Sequence, residues 1–236
     1  MSTSPLIPPP ALVQREQKHD TKAIQALDSA HYIHPFTDHA DLATIGARVI
    51  THAEDIYVWD SEGHKILDAM SGLWCVNAGY GRKELADAAY RQMMTLPFYN
   101  SFFQTTNVPA VKLAEKLVSL APAAGERRFG HVFFSSSGSE SNDTNVRLVR
   151  RYWDLLGQPQ RKVIISRHNA YHGSTMAGAS LGGMGAMHAQ GDLPIPGIVH
   201  IDQPHYGEHA KGGESREDFG LRAARWLEDK ILEVGP

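Results

Sequence analysis

The chain has 236 residues, of which 42% are hydrophobic, enough for the packed core of one large domain or two small ones. Its 23 Lys and Arg residues and 26 Asp and Glu residues give a formal net charge of −3 without a long basic run, so neither nucleic acid nor a membrane is an expected partner. No signal peptide or membrane-spanning run is recognised, and the single cysteine, Cys75, excludes an internal disulfide. We therefore expect a cytoplasmic protein in which this thiol is buried and inert.

The first half of the chain predicts helices and one hairpin. Residues 1–21 begin with a proline-rich stretch and are expected to form a mobile N-terminal tail, followed by a short helix over residues 22–30. The segments 56–59 and 65–68 flank a turn-forming sequence at 60–63 and predict a β-hairpin. Two further helices are predicted by apolar residues at helical spacing: Leu85, Ala89 and Met93, and Ala110, Leu113, Leu117 and Leu120.

From residue 131 the pattern changes to strands that alternate with helices. Short apolar runs at 131–134, 162–165 and 198–201 predict three buried strands, and this alternation is typical of an α/β fold with a parallel sheet. Two helical stripes accompany them: Val146, Val149, Trp153 and Leu156, and Phe219, Ala223, Leu227 and Ile231. Because a crossover helix normally leads into another strand, and none follows the last helix, we expect the chain to be incomplete as a domain.

The most informative segment, FFSSSGSESND at residues 133–143, joins the first predicted strand to the next helix. A helix N-terminus carries free N–H groups and a partial positive charge, so it is a ready site for a phosphate. The small residues allow an anion to approach the backbone, and the Ser hydroxyls add donors. The alternative is a capped helix without a ligand, because Ser and Gly are also favoured at this position for local reasons.

A second candidate segment, residues 167–174, follows the second predicted strand, at the edge where α/β sheets bind ligands. Tyr171 in this segment has two interpretations: its ring stacks on a flat cofactor, or it packs on a neighbouring helix. His168 and His172 have the spacing of metal ligands on a helix, but Gly173 disfavours a helix and no His-Glu-x-x-His motif is present. We therefore predict no metal site.

Taken together, these segments resemble a known family. The motifs SGSESND at 137–143 and YHGST at 171–175 resemble those of class III pyridoxal-phosphate-dependent aminotransferases. The segments HPFTD at 34–38, GLWCVN at 72–77 and LPFYN at 96–100 are similar to the ω-transaminase branch, which includes amine–pyruvate and β-alanine–pyruvate enzymes. The resemblance extends from about residue 22 to the last residue, so it covers most of the chain.

The resemblance implies fold type I, an α/β fold with a large cofactor-binding domain, a small domain and a homodimeric assembly. It assigns residues 22–80 to the N-terminal segment of the small domain and residues 81–236 to the first part of the large domain, with an incomplete parallel sheet. The implied cofactor is pyridoxal 5′-phosphate.

The resemblance also implies roles for particular residues, carried over from matching motifs. Five of them are expected to bind the cofactor, with Tyr171 stacked on its ring: Ser137, Gly138, Ser139, Tyr171 and His172. Three aromatic residues are expected to line the substrate pocket: Phe36, Trp74 and Phe102.

Two catalytic groups of the family have no counterpart here. The Schiff-base lysine and the aspartate that pairs with the pyridine nitrogen are expected beyond Pro236, so no catalytic residue is predicted in this chain, and the chain alone is expected to be inactive. For a complete protein, the resemblance implies transfer of an amino group from a primary amine or ω-amino acid to a 2-oxo acid such as pyruvate. Two alternatives stay open: a non-catalytic fragment of such an enzyme, and a racemase or mutase of the same fold.

Overall fold

The structure is a computed structural model that describes residues 19–123 and 129–235. Contacts within the chain divide it into two compact units, Met1–Val108 and Pro109–Pro236. The predicted mobile tail lies outside the described residues except for its last three positions. The predicted boundary at residue 80 between small-domain and large-domain segments stays a prediction.

The first unit combines short helices with a three-stranded antiparallel sheet in the order β1-β2-β3. Its described helices are α1 (Thr21–His31), α2 (His39–Ile45), α3 (Ser71–Trp74) and α4 (Lys83–Thr95). Its described strands are β1 (Ile50–Glu54), β2 (Tyr57–Asp60) and β3 (Lys65–Leu67). The helices predicted at 22–30 and around Leu85 are confirmed as α1 and α4.

The predicted hairpin is confirmed as β2 and β3, with Val58 opposite Ile66. The buried carboxylate of Asp60 closes its turn, because Oδ1 accepts the N–H groups of Glu62 at 3.1 Å and His64 at 2.9 Å. Burial raises the pKa of Asp60, but the hydrogen bonds from His64 and Glu62 outweigh it and hold that pKa below its ordinary value.

The second unit contains the parallel strands β4 (Ile164–Arg167) and β5 (Ile198–Ile201), which pair with Ile164 opposite Ile198. Their parallel pairing confirms the α/β prediction. The described helices here are α5 (Val108–Leu120), α6 (Gly138–Leu155), α7 (Met176–Leu181), α8 (Gly185–His188), α9 (Tyr206–His209) and α10 (Arg216–Val234). Among the described residues, all the buried apolar side chains belong to this unit: Val146, Ala179, Ile198, Phe219 and Ala223.

Two predictions about burial and strands were wrong. Residues 131–134 do not form a strand, because no strand of the described residues pairs with them, and Phe133 is 68% exposed. Cys75 is exposed rather than buried, since its apolar neighbours lie in the single turn of α3, where Leu73 and Trp74 are exposed as well. Within the described ranges, no helix has the length and apolarity that a membrane span requires.

Candidate functional site

The helix α6 begins at a variant of the capping box, in which the Glu140 side chain bonds the residue before the N-cap Ser137. The Ser137 hydroxyl accepts the N–H of Glu140 at 3.1 Å, while the Glu140 carboxylate accepts the N–H of Ser136 at 2.8 Å. A side-chain bond between Ser135 and Ser141 adds a further tie across the start of the helix. The predicted strand-to-helix turn is therefore a helix N-terminus joined by side-chain hydrogen bonds, although the segment before it is not a strand.

The N–H groups of Gly138 and Ser139 remain available at this end. In the part of the chain that the structure describes, neither makes a hydrogen bond. Both lie in the first turn of an 18-residue helix, so they point away from its body at the positive end of its dipole. Unpaired N–H groups at the positive end of a long helix are the arrangement that binds a phosphate.

The Ser139 side chain is oriented by a second segment of the chain. Its hydroxyl oxygen accepts the N–H of Ser174 at 3.2 Å, which leaves the hydroxyl hydrogen free to be donated to an anion. Gly173 lies so close that an added Cβ would be 2.3 Å from Ser139 Oγ, and its φ of +123° favours glycine. The YHGST loop is therefore packed directly on the start of α6.

Two side chains of α6 anchor this loop. The Asn142 amide donates to the His172 carbonyl at 2.7 Å. Asp143 Oδ1 accepts from the Thr175 hydroxyl at 2.8 Å and from the Gly178 N–H at 3.2 Å, and Thr175 is also the N-cap of α7. We call residues 137–143 and 170–178 together the helix–loop corner.

Tyr171 is held by its neighbours on both sides. The carbonyl of Ala170 accepts the N–H of Gly183 at 2.9 Å, and the carbonyl of His172 accepts the Asn142 amide. The Tyr171 side chain is 55% exposed, and His172 is exposed as well. The ring is therefore accessible while its backbone is fixed, which is the requirement for stacking on a flat ligand.

A group of histidines supports the far side of the same loop. His188 Nε2 and His200 Nε2 each lie 2.7 Å from the carbonyl oxygen of Gly182, and the His168 ring stacks on the His200 ring with centroids 5.4 Å apart. Burial lowers the pKa of His200, and the nearby His188 and His168 lower it further, against the hydrogen bonds at Gly182 and Leu181. The His188 and His200 rings are therefore engaged with the backbone of this loop.

The structure thus brings together Ser137, Gly138, Ser139, Tyr171 and His172. The predicted pocket residues belong to the other unit, in the loop after α1, in α3 and in the loop after α4. They are largely exposed: Phe36 by 70%, Trp74 by 78% and Phe102 by 72%. Their role stays a prediction.

Asn142 and Asp143 were not singled out from the sequence. Both belong to the SGSESND motif, but a helix with an apolar stripe gives no indication of which polar side chains reach a loop 30 or more residues away. The capping-box pattern Ser137-x-x-Glu140 is the local signal that fixes the helix start. Once that start is fixed, Asn142 and Asp143 fall in its second turn, close enough to meet a second segment.

A family model described as Aminotransferase class-III matches residues 40–233, most of the chain. The chain belongs to the class III aminotransferases. This confirms the family resemblance.

Relatives of this class III chain are curated enzymes from bacteria and plants. The putrescine–pyruvate aminotransferase of Pseudomonas aeruginosa is 60% identical over 217 residues, which make up 91% of this chain and 46% of the relative. A probable mitochondrial gamma-aminobutyrate transaminase 2 of Oryza sativa subsp. indica is 45% identical over 202 residues, or 86% of this chain and 40% of the relative. The chain therefore spans somewhat less than half the length of these two relatives.

Solved structures of similar chains are also transaminases. A thermostable omega transaminase 6-fold mutant from Pseudomonas jessenii has a TM-score of 0.86 and 41% identity, and the match covers 90% of this chain and 46% of that one. A second solved structure, described as a transaminase with L-ala, has a TM-score of 0.83 and 43% identity over 90% of this chain and 47% of that chain. The class III chain thus has the α/β fold of type I aminotransferases, with part of the sheet.

Enzymes of this family depend on pyridoxal phosphate, and the helix–loop corner has groups that suit this cofactor. The two unpaired N–H groups and the oriented Ser139 hydroxyl suit a phosphate dianion, because hydrogen bonds to charged acceptors are the strong ones. The accessible Tyr171 ring suits a pyridine ring. Each donor belongs to a segment whose backbone is fixed by the contacts described above.

Proposed function

We propose that residues 1–236 form the N-terminal part of a pyridoxal-phosphate-dependent transaminase. The complete enzyme would move an amino group from a primary amine or ω-amino acid to a 2-oxo acid such as pyruvate. The observation that carries this proposal is the pair of unpaired N–H groups at Gly138 and Ser139, beside the loop that holds Tyr171.

The roles of the chain's own residues follow from their chemistry. The N–H groups of Gly138 and Ser139 and the Ser139 hydroxyl bind the phosphate and fix one end of the cofactor. Tyr171 covers one face of the ring and excludes water from it, with His172 beside it. When bound, the cofactor supplies an electron sink for the carbon that carries the substrate amine. Proton transfer to and from that carbon is assigned to a lysine expected beyond Pro236.

The relatives support a choice of first substrates. One relative is named for putrescine and pyruvate at 60% identity, and others are named for gamma-aminobutyrate at about 45%. We therefore place a primary diamine first and an ω-amino acid second as amino donors. Phe36, Trp74 and Phe102 are proposed to line the pocket, where aromatic faces suit the methylene chain of such an amine.

A chimera tests this proposal directly. Residues 1–235 of this chain are joined to the matching C-terminal portion of the Pseudomonas aeruginosa relative, and alanine formation from putrescine and pyruvate is measured. We expect alanine from the chimera and none above buffer from residues 1–236 alone. In a parallel assay with a chiral amine and pyruvate, isomerisation of the amine without alanine formation would instead favour a racemase or mutase. A well-folded chimera with neither activity would favour a non-catalytic fragment.

The finer features of the complete enzyme are also proposals. We propose a homodimer in the cytoplasm, with residues 22–80 in its small domain and residues 81–236 in its large domain. The family assignment supports the assembly and the domain division, and a single cysteine is typical of proteins in a reducing compartment.

A further inference from the structure

The helix–loop corner carries two binding elements on segments that are far apart in the sequence. The phosphate donors are at the start of α6, and the aromatic ring is in the loop after β4. A cofactor that uses both must find the phosphate position and the ring at a fixed separation. The side chains that join these segments therefore determine whether both elements can be used at once.

We infer that Asn142 is a positioning residue, which holds Tyr171 at the separation from the α6 N-terminus that the cofactor requires. This inference rests on the proposed function. Asn142 is itself partly buried on α6, four residues after Gly138, and its amide donates at 2.7 Å to the carbonyl of His172, the residue that directly follows Tyr171 in the chain.

The other contacts of the corner act elsewhere. Asp143 holds Thr175 and Gly178, so it fixes the start of α7 rather than the aromatic residue. Ser139 holds the N–H of Ser174 and also faces the phosphate position, so its replacement changes both elements together. Of the described hydrogen bonds between residues 137–143 and 170–178, the one from Asn142 is the one that reaches the residue next to Tyr171.

The geometry around Tyr171 explains why one hydrogen bond matters. On its N-terminal side, the Ala170 carbonyl is fixed by the Gly183 N–H, and on its C-terminal side the His172 carbonyl is fixed by Asn142. Gly173 follows at a φ of +123° and has no side chain to hold this peptide, so the Asn142 amide is the side-chain group that fixes its carbonyl. Loss of the amide would therefore release the carbonyl of the residue next to Tyr171 without removing any phosphate donor.

The test separates ring binding from phosphate binding. The affinities of the full chain for pyridoxamine 5′-phosphate and for inorganic phosphate are measured by equilibrium dialysis, since the amine form of the cofactor does not react with lysines. Asn142→Leu removes the amide at similar size, and Asn145→Leu, at an exposed position one turn along the same helix, is the matched control. Asn142→Ser, whose hydroxyl is too short to reach the carbonyl, is a second variant in case the first folds poorly.

We expect Asn142→Leu to weaken pyridoxamine 5′-phosphate binding by about three- to fivefold, most of the value of one stacked ring, while phosphate binding stays within about twofold. In a Tyr171→Ala background the same change should have no further effect, because the two residues act on one contact. Asn145→Leu should change neither affinity.

Other outcomes would overturn the inference. If Asn142→Leu weakened the binding of both ligands equally, Asn142 would have a structural role only. The same would hold if Asn142→Leu and Tyr171→Ala lowered the affinity for pyridoxamine 5′-phosphate independently. If the wild-type chain bound pyridoxamine 5′-phosphate no more tightly than phosphate, the proposed function would fail first and the inference with it. The wild-type measurement thus separates the two failures.

Discussion

The helix–loop corner and the segments that carry the predicted pocket aromatics are built in opposite ways. Side-chain hydrogen bonds between residues 30 to 35 apart hold the corner, so its geometry depends on the fold of the second unit. Around Trp74 the contacts are more local: the Asp68 carboxylate accepts the Gly72 N–H at 2.7 Å and the Tyr80 hydroxyl at 2.7 Å, across at most 12 residues. The Tyr80 bond lowers the pKa of Asp68, which favours its charged form.

The contacts of the candidate cofactor site are thus contained in one unit, and those of the predicted pocket residues are not part of it. The proposed phosphate and ring positions are defined by contacts within one unit, whereas Phe36 and Trp74 are largely exposed and lie at positive φ values of 50° and 64°. Cofactor affinity should therefore fall on substitution of residues in the helix–loop corner and should not change on substitution of the predicted pocket residues Phe36, Trp74 and Phe102. Four substitutions test this expectation and the packing of the second unit.

Gly173→Ala should disrupt the corner most. The new Cβ would overlap Ser139 Oγ at 2.3 Å and Ser139 Cα at 2.8 Å, at a φ that alanine rarely adopts. We expect the free energy of unfolding to fall by about 2–3 kcal/mol from overpacking and backbone strain, and pyridoxamine 5′-phosphate binding to fall at least about tenfold. Urea unfolding and dialysis measure the two effects. Gly212→Ala, where no atom lies within 4 Å, is the control, and equal behaviour of the two variants would contradict the described packing.

Ser139→Ala should weaken phosphate and pyridoxamine 5′-phosphate binding alike. It removes one donor to a charged acceptor, on the order of 1.5 kcal/mol or about tenfold in affinity, and leaves the Ser174 N–H without its acceptor. Competition dialysis with both ligands measures the change. Ser119→Ala, which loses only a bond to the Lys116 carbonyl on α5, should have no effect on either ligand. Unchanged phosphate affinity in Ser139→Ala would remove this hydroxyl from the site.

Tyr171→Ala should weaken pyridoxamine 5′-phosphate binding by about fivefold, on the order of 1 kcal/mol for one stacked ring, and leave inorganic phosphate binding unchanged. Trp74→Ala is the counterpart from the first unit, and we expect it to change neither affinity. Fluorescence titration or dialysis distinguishes the two variants. If Trp74→Ala lost as much affinity for pyridoxamine 5′-phosphate as Tyr171→Ala, the contrast between the helix–loop corner and the predicted pocket residues would be wrong.

The smallest effect concerns the far end of the second unit. The Arg222 guanidinium donates two hydrogen bonds to the Glu214 carboxylate, at 2.8 Å each, and lowers the pKa of Glu214 from 4.5 to about 2. Because this pKa is lowered on folding, the stabilisation is present above pH 4.5 and is lost as the pH falls from 4.5 towards 2. Glu214→Gln should make the melting temperature depend less on pH between 4.5 and 2. It should leave cofactor affinity at pH 7 unchanged. A melting temperature that still falls steeply between pH 4.5 and 2 in the variant would contradict the stabilising role of the Glu214–Arg222 pair.

Periodic patterns predicted the elements that depend on local sequence. The hairpin, α1, α4, α6, α10 and the strand at Ile198–Ile201 follow from apolar spacing, turn residues and caps. The strand at 131–134 was wrong because strand formation depends on a partner that apolar composition does not specify. The contact of Asn142 with His172 was not predicted, since a hydrogen bond between residues 30 apart leaves no periodic trace in the sequence. The motifs predicted the members of the candidate site, and the fold supplied the side chains that join its two segments.

The proposed phosphate site is tested by a phosphorus NMR titration of the wild-type chain with pyridoxamine 5′-phosphate, with unphosphorylated pyridoxamine measured in parallel by dialysis. We expect a saturable change in the phosphorus signal, competition by inorganic phosphate, and binding of pyridoxamine at least about tenfold weaker, because we propose that the N–H groups of Gly138 and Ser139 bind the phosphate. Equal affinity for the two compounds, without competition by phosphate, would contradict the assignment of the α6 N-terminus as the phosphate site.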